Sequence, residues 1–306
     1  MAPSKPLTVA VLGPTGQCGS CVVDELVLRG HNVVAISRNP PEKWKTAPPG
    51  TKGNYIAKPV DIHDTEKLTA AFSGGLDAVV VAYAPPLAKL SELYENGVEG
   101  HRLIKTALLK SDLEGEAIII GGAGSLHYST GSQLADQPGF SYSWWYDWPD
   151  VHLDYMNQRA RDHNQRFLSR FIVGFKWARA NIENPGWTSW IFRPFARLYL
   201  RWARGILMQR DTKSLITMSR VALTMWEGVT AKKWTFLSPP GLLRDKGIRT
   251  GSYELHLDEG NSGTDAAIEG GIYNEDMAVA IVDEVEKSNL VFKHWSCTGR
   301  IGLSKW

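Results

Sequence analysis

The sequence predicts an α/β fold built on a doubly wound parallel sheet, and three observations lead to this prediction. Short apolar runs alternate with amphipathic helical patterns over roughly the first 135 residues. The apolar runs are continuous, which is typical of strands that are buried on both faces. A glycine-rich turn joins the first strand pattern to the first helical pattern. The chain of 306 residues, 43% of them hydrophobic, is long enough to bury a core of this kind.

The first elements form a strand, a turn, a helix and a second strand. Residues 7–13 (LTVAVLG) predict a buried strand, and residues 32–38 predict the next one. The helical pattern between them ends at Gly30, a typical C-cap residue. Backbone N–H groups in such a turn, together with the helix N-terminus, can face a pyrophosphate. The candidate pyrophosphate contacts are Gly13, Thr15, Gly16 and Gly19, in a G-x-x-G-x-x-G spacing.

Strand and helix patterns continue to alternate as far as residue 126. Strands are predicted within 53–64, 76–86 and 116–126, and helices at 64–74 and 91–113. Ligands of doubly wound sheets lie at the carboxyl ends of the strands, so residues that follow the strands should line one crevice. Those residues are Ser37 and Arg38 after the second strand, Asp61 after the third, Ala82 and Tyr83 after the fourth, and Gly122 after the fifth.

The residues at the end of the second strand indicate whether the nucleotide is NAD or NADP. An acidic residue there would bind the ribose 2′-hydroxyl of NAD. This sequence instead has Ser37, Arg38 and Asn39, and a guanidinium beside a small polar residue suits a 2′-phosphate. The sequence therefore predicts NADP(H) as the cofactor.

Cys18 and Cys21 form a C-x-x-C pair inside the same turn and helix. Zinc would require a second ligand pair, and none stands nearby in the sequence. A redox pair would require exposed thiolates, which a bound pyrophosphate would cover. We therefore predict that both cysteines are packing residues, and we predict no metal site from the sequence.

The chain resembles the atypical short-chain dehydrogenases of the NmrA-like NAD(P)H-binding type. The segments that carry the resemblance are VLGPTGQCG, DAVVVAYAPP and IIIGGAGSL, followed by WTFLSPPGLL, RTGSYELHLDEG and NEDMAVAIVDEVEK. The resemblance covers about 1–135 and 214–300. It implies a Rossmann-like sheet, with Pro239 near the nicotinamide after the sixth strand. It also implies Ser125 as a hydroxyl after the fifth strand, where relatives often place one.

The chain departs from the short-chain dehydrogenase pattern at the proton donor. Those enzymes use Y-x-x-x-K, in which the lysine lowers the tyrosine pKa. No tyrosine here has a lysine four residues later, and the nearest match is Tyr155 with Arg159. We predict Ser125 and Tyr155 as the catalytic residues that polarise a substrate oxygen. Tyr128, His127, His152 or water remain alternative proton donors.

Three parts of the chain are predicted: a nucleotide-binding core at 1–140, a helical insertion rich in aromatic residues and arginine at 141–213, and a return to the core at 214–306. Residues 150–213 carry twelve basic and five acidic residues. Two helical patterns are separated by a turn at 183–187. The insertion could form a lid over the substrate, a contact with an anionic membrane surface, or a subunit interface.

The predicted function is NADPH-dependent reduction of a hydrophobic, aromatic or polyketide-like carbonyl or quinone. A non-redox isomerase or cyclase, and a non-catalytic NADP(H) sensor, are the alternatives. The 34 basic and 32 acidic residues nearly balance, which gives no argument for a nucleic-acid partner. We find no signal-peptide pattern and no apolar run long enough to span a bilayer, so we expect a cytoplasmic protein that can reach a membrane only peripherally.

Overall fold

A computed structural model describes residues 5–44, 52–85, 90–184, 186–259 and 263–301. The chain divides into two compact units. The first unit contains Met1–Leu134 and Leu215–Ile301, and the second contains Ala135–Ser214 and Gly302–Trp306. The resemblance to short-chain dehydrogenases thus falls within the first unit.

The first unit is built on an eight-stranded sheet with the order β3-β2-β1-β4-β5-β6-β10-β8. Its strands are β1 (Thr8–Leu12), β2 (Asn32–Ser37), β3 (Tyr55–Pro59), β4 (Ala78–Val81), β5 (Glu116–Ile120), β6 (Trp234–Leu237), β8 (Glu254–Leu257) and β10 (His294–Thr298). All neighbours are parallel except β8 and β10. The first six strands follow the order of a doubly wound dinucleotide-binding sheet, which confirms the predicted fold class. Two short strands, β7 (Leu242–Arg244) and β9 (Gly271–Tyr273), pair separately.

Helices cover both faces of this sheet. They are α1 (Gln17–Arg29), α2 (Thr65–Ala71), α3 (Leu93–Lys110), α8 (Arg210–Trp226), α9 (Asp265–Glu269) and α10 (Asn274–Lys287). Side chains such as Leu26 and Ile281 pack α1 and α10 on one face. On the other face, Leu68, Ile104 and Leu223 pack α2, α3 and α8. Burial on both faces explains why the strand sequences are continuously apolar.

Strand β10 was not among the predicted strands. Its sequence, HWSCT, alternates polar residues with Trp295 and Cys297, and both of these side chains are fully buried. A five-residue segment of this composition gives no apolar run. Its place in the sheet depends on long-range pairing with β6 and β8, which local sequence does not reveal.

The second unit is helical, as predicted for the insertion. It contains α4 (Tyr142–Asp147), α5 (Asp150–Asp162), α6 (Arg166–Glu183) and α7 (Trp187–Leu207). Within the described residues, no helix of either unit combines the length and the hydropathy that crossing a bilayer requires. The lid, membrane and interface alternatives for this unit stay predictions.

Aromatic side chains form the core of the second unit. Trp145 lies against Trp148 with ring centroids 4.8 Å apart, and it meets Phe171 edge to face at 5.8 Å. Phe175 is fully buried beside them. Arg179 is hydrogen-bonded to this cluster: its guanidinium donates to the carbonyl of Trp148. Internal packing therefore accounts for some of the twelve tryptophans of the chain.

Helix α1 is held against α10 by a buried carboxylate and two arginines. Glu25, 3% exposed, accepts hydrogen bonds from Arg29 at 2.7 Å and from Arg249 at 2.6 Å. Arg29 also donates to Asp283 and Glu286 of α10. Burial alone would raise the pKa of Glu25, but the hydrogen bonds from the two arginines outweigh it and lower the pKa. The carboxylate therefore contributes stability in its charged form.

We predict that Glu25→Gln lowers the free energy of unfolding at pH 7 by about 1.5–3 kcal/mol, the value of hydrogen bonds to charged groups. The loss stays in this range because Arg29 keeps its other carboxylates and Arg249 is partly solvated. Since the folded pKa is lowered, this stability is present above the unfolded pKa of about 4.3 and is lost as the pH falls through the folded pKa. Urea unfolding between pH 7 and pH 3 measures it.

The control is Glu66→Gln on α2, where the side chain is exposed. Its stability should stay within about 0.5 kcal/mol of the wild type. A difference between Glu25→Gln and wild type that does not shrink at low pH would contradict the role given to this carboxylate.

Candidate functional site

The glycine turn after β1 packs so closely against β4 that no side chain fits. Gly13 has φ +82°, and its N–H donates to the Ile36 carbonyl at 3.0 Å. A Cβ atom on Gly13 would lie 2.4 Å from the carbonyl oxygen of Ala82. A Cβ on Gly19 would lie 2.1 Å from the carbonyl oxygen of Gly13. Both positions therefore require glycine for packing, independent of any ligand.

The N-terminus of α1 opens at the same turn. Gly16 is the N-cap residue, and no side chain caps the helix. The first turn of α1 contains no acidic residue. Thr15 and Gly16 are exposed. A helix N-terminus of this kind suits an anion, so the residues present fit the pyrophosphate of a dinucleotide.

The end of β2 presents a buried hydroxyl and an exposed cation. The Ser37 hydroxyl is buried and has no hydrogen-bond partner within the described part of the chain. Arg38 is exposed. Burial raises the pKa of Tyr83, and the charges of Arg38 and Asp61 act on it in opposite directions. These residues at the ends of β2, β3 and β4 therefore lie near one another, as expected for an adenosine-binding edge.

The remaining predicted cofactor contacts follow β4, β5 and β6. The Ala82 N–H donates to the Leu12 carbonyl at 2.9 Å, which holds the end of β4 beside β1. Gly122 is extended, and a Cβ there would lie 3.2 Å from Ser219. Pro239 is buried after β6. The parallel sheet thus gathers all the predicted contacts at one edge, although their binding roles stay predictions.

Ser125 is fully buried behind the loop that follows β5. Its hydroxyl donates to the Gly122 carbonyl at 2.7 Å and lies 2.7 Å from the Ser238 hydroxyl. In this geometry Ser125 presents no open face to a substrate. Its catalytic role stays a prediction. In the structure, the hydrogen bonds of its hydroxyl hold the loop that follows β5 in place.

The hydrogen bonds from Ser125 continue into a histidine and carboxylate cluster. Ser238 Oγ lies 2.7 Å from His294 Nε2, and His294 Nδ1 lies 2.7 Å from Asp258 Oδ2. His127 Nδ1 contacts the same Asp258 oxygen. Burial lowers the pKa of His294. Burial alone would raise the pKa of Asp258, but its close contacts with the two histidines outweigh this effect and hold the pKa well below its usual range.

Tyr155 lies in the second unit, on α5, and is 4% exposed. Arg159 donates to its hydroxyl at 3.1 Å, as their spacing on one helix face predicts. His152, an alternative proton donor, is 2% exposed and packs against Trp148 with ring centroids 4.6 Å apart. The catalytic role of Tyr155 also stays a prediction.

The cysteine pair has the environment of packing residues. Burial raises the pKa of Cys21 to about 12, with Glu275 adding to the effect, so its thiol is neutral at pH 7. Cys18 lies 3.6 Å from the Asn274 side-chain oxygen. Neither cysteine forms a disulfide, and both pack against the core on the α1 face of the sheet. A neutral thiol is a poor nucleophile, which argues against a redox role for Cys21.

Sequence reasoning did not find Asp258 and His294. They are separated from each other by 36 positions, and Asp258 is separated from His127 by 131. No ligand spacing or helical motif connects residues so far apart. Only the pairing of β10 with β6 and β8 brings them together.

Solved structures that share this fold include the following three. They are a protein named as an exported protein from Burkholderia pseudomallei (23% identity, TM-score 0.57), one named as an NADH-flavin reductase from Streptococcus pneumoniae (20%, 0.57) and one named as an epimerase from Bacteroides thetaiotaomicron (19%, 0.59). Each is covered completely, and they cover 96%, 96% and 98% of this chain. At these identities the similarity establishes the fold alone. The comparison with curated proteins gives no match.

The family model of the NAD dependent epimerase/dehydratase family matches residues 9–132. This range contains the glycine turn, Arg38, Asp61, Tyr83 and Ser125. The description of the family names NAD, and the match does not separate NADP from NAD. Residues 9–132 are thus similar to the NAD dependent epimerase/dehydratase family, which confirms the resemblance of this part of the chain to the atypical short-chain dehydrogenases.

Proposed function

We propose that this chain is an NADPH-dependent reductase of a hydrophobic, aromatic or polyketide-like carbonyl or quinone. The observation that carries the proposal is the glycine turn, whose backbone is held where only glycine fits and whose helix N-terminus has no side-chain cap. The family match over residues 9–132 supports a nicotinamide nucleotide at that turn. A nicotinamide nucleotide bound there would supply the hydride.

The choice of NADPH rests on the end of β2. Arg38 is exposed, and its charge acts on Tyr83 after β4. Beside it, the Ser37 hydroxyl is buried without a partner. A guanidinium and a hydroxyl together offer donors to a phosphate, whereas NAD-specific sites place a carboxylate here. These two residues would hold the 2′-phosphate.

We predict that Arg38→Ala weakens NADPH binding by about 10- to 150-fold, because a charge-assisted contact contributes about 1.5–3 kcal/mol. NADH binding should change by less than about twofold, since NADH lacks the phosphate. Fluorescence titration of both nucleotides measures this difference. Arg102→Ala is the control, because Arg102 is also exposed but pairs with Glu99. Equal affinities of the wild type for NADPH and NADH would contradict the choice of nucleotide.

We further predict that NADPH is consumed in a one-to-one ratio with the reduced product. The measurement is absorbance of the reduced nicotinamide, with product analysis, against a panel of quinones and aromatic ketones. Conversion of a substrate with no net loss of NADPH would replace the reductase by an isomerase or cyclase. Nucleotide binding with no turnover on the whole panel would instead favour a sensor of the NADP⁺ to NADPH ratio.

In the second unit, α7 carries an apolar stripe that is open to solvent. Its members and their exposed fractions are Ile191 (49%), Phe195 (64%), Leu198 (67%) and Trp202 (47%). Side chains of this kind rarely stay in water without a partner. Arg197, Arg201 and Arg204 line a groove of about 420 Å³ on the same helix. We propose that α7 binds an anionic membrane surface, which combines an apolar stripe with basic charge.

We predict that the double variant Phe195→Ser with Leu198→Ser binds phosphatidylserine vesicles more weakly, by about tenfold in affinity for each side chain replaced. The reason is that burial of one large apolar side chain contributes about 1.5 kcal/mol or more. Co-sedimentation with the vesicles measures the affinity. The control is Ile248→Ser in the first unit, where the side chain is 80% exposed. A change from dimer to monomer in sedimentation velocity, with no vesicle binding by the wild type, would assign the stripe to a second copy of the chain. A wild-type chain that neither binds vesicles nor self-associates would contradict the proposal.

A further inference from the structure

Three potential metal ligands converge at the outer end of the polar chain described above. His127, Asp258 and His294 each direct one ligand atom inward, and these atoms all lie within 4.8 Å of one another. The two imidazole rings meet edge to face with centroids 5.1 Å apart. All three residues belong to the first unit. Neither the family match, which ends at residue 132, nor the proposed reductase accounts for Asp258 and His294.

The direction of the hydrogen bonds determines which nitrogen of His294 carries a proton. The Gly122 carbonyl can only accept, so Ser125 must donate its single hydroxyl proton to it. Ser238 must then donate to Ser125, because the two hydroxyl oxygens are 2.7 Å apart and Ser125 has no second proton. Ser238 therefore accepts from His294, whose Nε2 must carry a hydrogen.

A neutral His294 then has a bare Nδ1, and its lone pair faces a carboxylate. Asp258 Oδ2 lies 2.7 Å from this nitrogen. Two acceptors at hydrogen-bond distance repel each other unless a positive charge lies between them. A second proton on the ring, a proton on the carboxyl group or a metal ion bound by both atoms would remove this repulsion. The His294 side chain is only 7% exposed, so a charged ring would lose most of its hydration.

The donor set fits a metal ion. Two imidazole nitrogens and one carboxylate oxygen are a typical protein ligand set for zinc at sites that keep an open fourth position. The bond from His294 Nε2 to Ser238 matches the outer contact that fixes the orientation of a zinc-ligating histidine. The side chains of His127 and Asp258 are 15% and 20% exposed, so water can reach the site from that side.

We propose that His127 Nδ1, Asp258 Oδ2 and His294 Nδ1 form a binding site for Zn²⁺. The chain Ser238, Ser125 and Gly122 holds His294 in the tautomer that the metal requires. None of the three ligands belongs to the glycine turn, and zinc binding can be measured without the nicotinamide nucleotide.

The test uses the full chain after treatment with a chelator and removal of the chelator. Zn²⁺ is added and excess metal is removed. The number of zinc ions bound per chain is then measured by elemental mass spectrometry. We expect one zinc per chain and a rise in melting temperature on zinc addition. Co²⁺ in place of Zn²⁺ should give the visible absorption of a four-coordinate site. The double variant Cys18→Ser with Cys21→Ser should bind the same amount, which excludes the cysteine pair as the source.

Variants locate the metal. Asp258→Asn and His294→Gln should weaken zinc binding by more than about 100-fold, and Ser238→Ala by about 10- to 100-fold, the usual range for an outer contact. If His294→Gln does not fold, His127→Gln replaces it, because the His127 ring is more exposed. The control is His256→Gln on β8, whose ring bonds to Thr298. It should bind zinc like the wild type.

Two results would overturn the proposal. The first is a wild-type chain that binds no zinc and shows no change in melting temperature. A buried imidazolium paired with Asp258 would then supply the charge that His294 needs. The second is a folded Asp258→Asn variant that binds one zinc as tightly as the wild type.

Discussion

The rest of the first unit depends on the close approach of the glycine turn to β4. The backbone atoms of Gly13, Gly19 and Ala82 occupy the space that two Cβ atoms would need. This approach allows β1 and β4 to lie side by side while α1 starts directly above them. It also leaves the N–H groups of the turn without side chains over them. One packing constraint therefore shapes the sheet and prepares a site for an anion.

The position of α1 is secured at its other end by charge rather than by packing alone. Glu25 and Arg29 join the helix to the loop at Arg249 and to two carboxylates of α10. Each charge in this cluster has an opposite partner, so its burial does not leave an unpaired ion. The helix that would face the pyrophosphate is thus held at both ends, which suits a site that must be formed before the nucleotide binds.

The polar chain from Gly122 to His127 is the second organised feature of the first unit. From Gly122 as far as His294 its donors and acceptors can be followed atom by atom, starting from a carbonyl that cannot donate. That order makes Ser125 a residue that shapes the loop after β5 and gives His294 a defined tautomer. The chain also shows why a serine at a position typical of short-chain dehydrogenases need not face the substrate.

The sequence by itself determined the fold class, the glycine turn and the C-cap at Gly30, because these depend on local periodicity and on backbone conformations near glycine. Tertiary structure alone decided the burial of Ser125, the place of β10 in the sheet and the meeting of His127, Asp258 and His294. These features depend on long-range contacts, such as those between residues 113 and 131 positions apart. Such contacts leave no periodic trace in the chain, because each partner lies in a short segment of mixed polarity that only the folded sheet brings together.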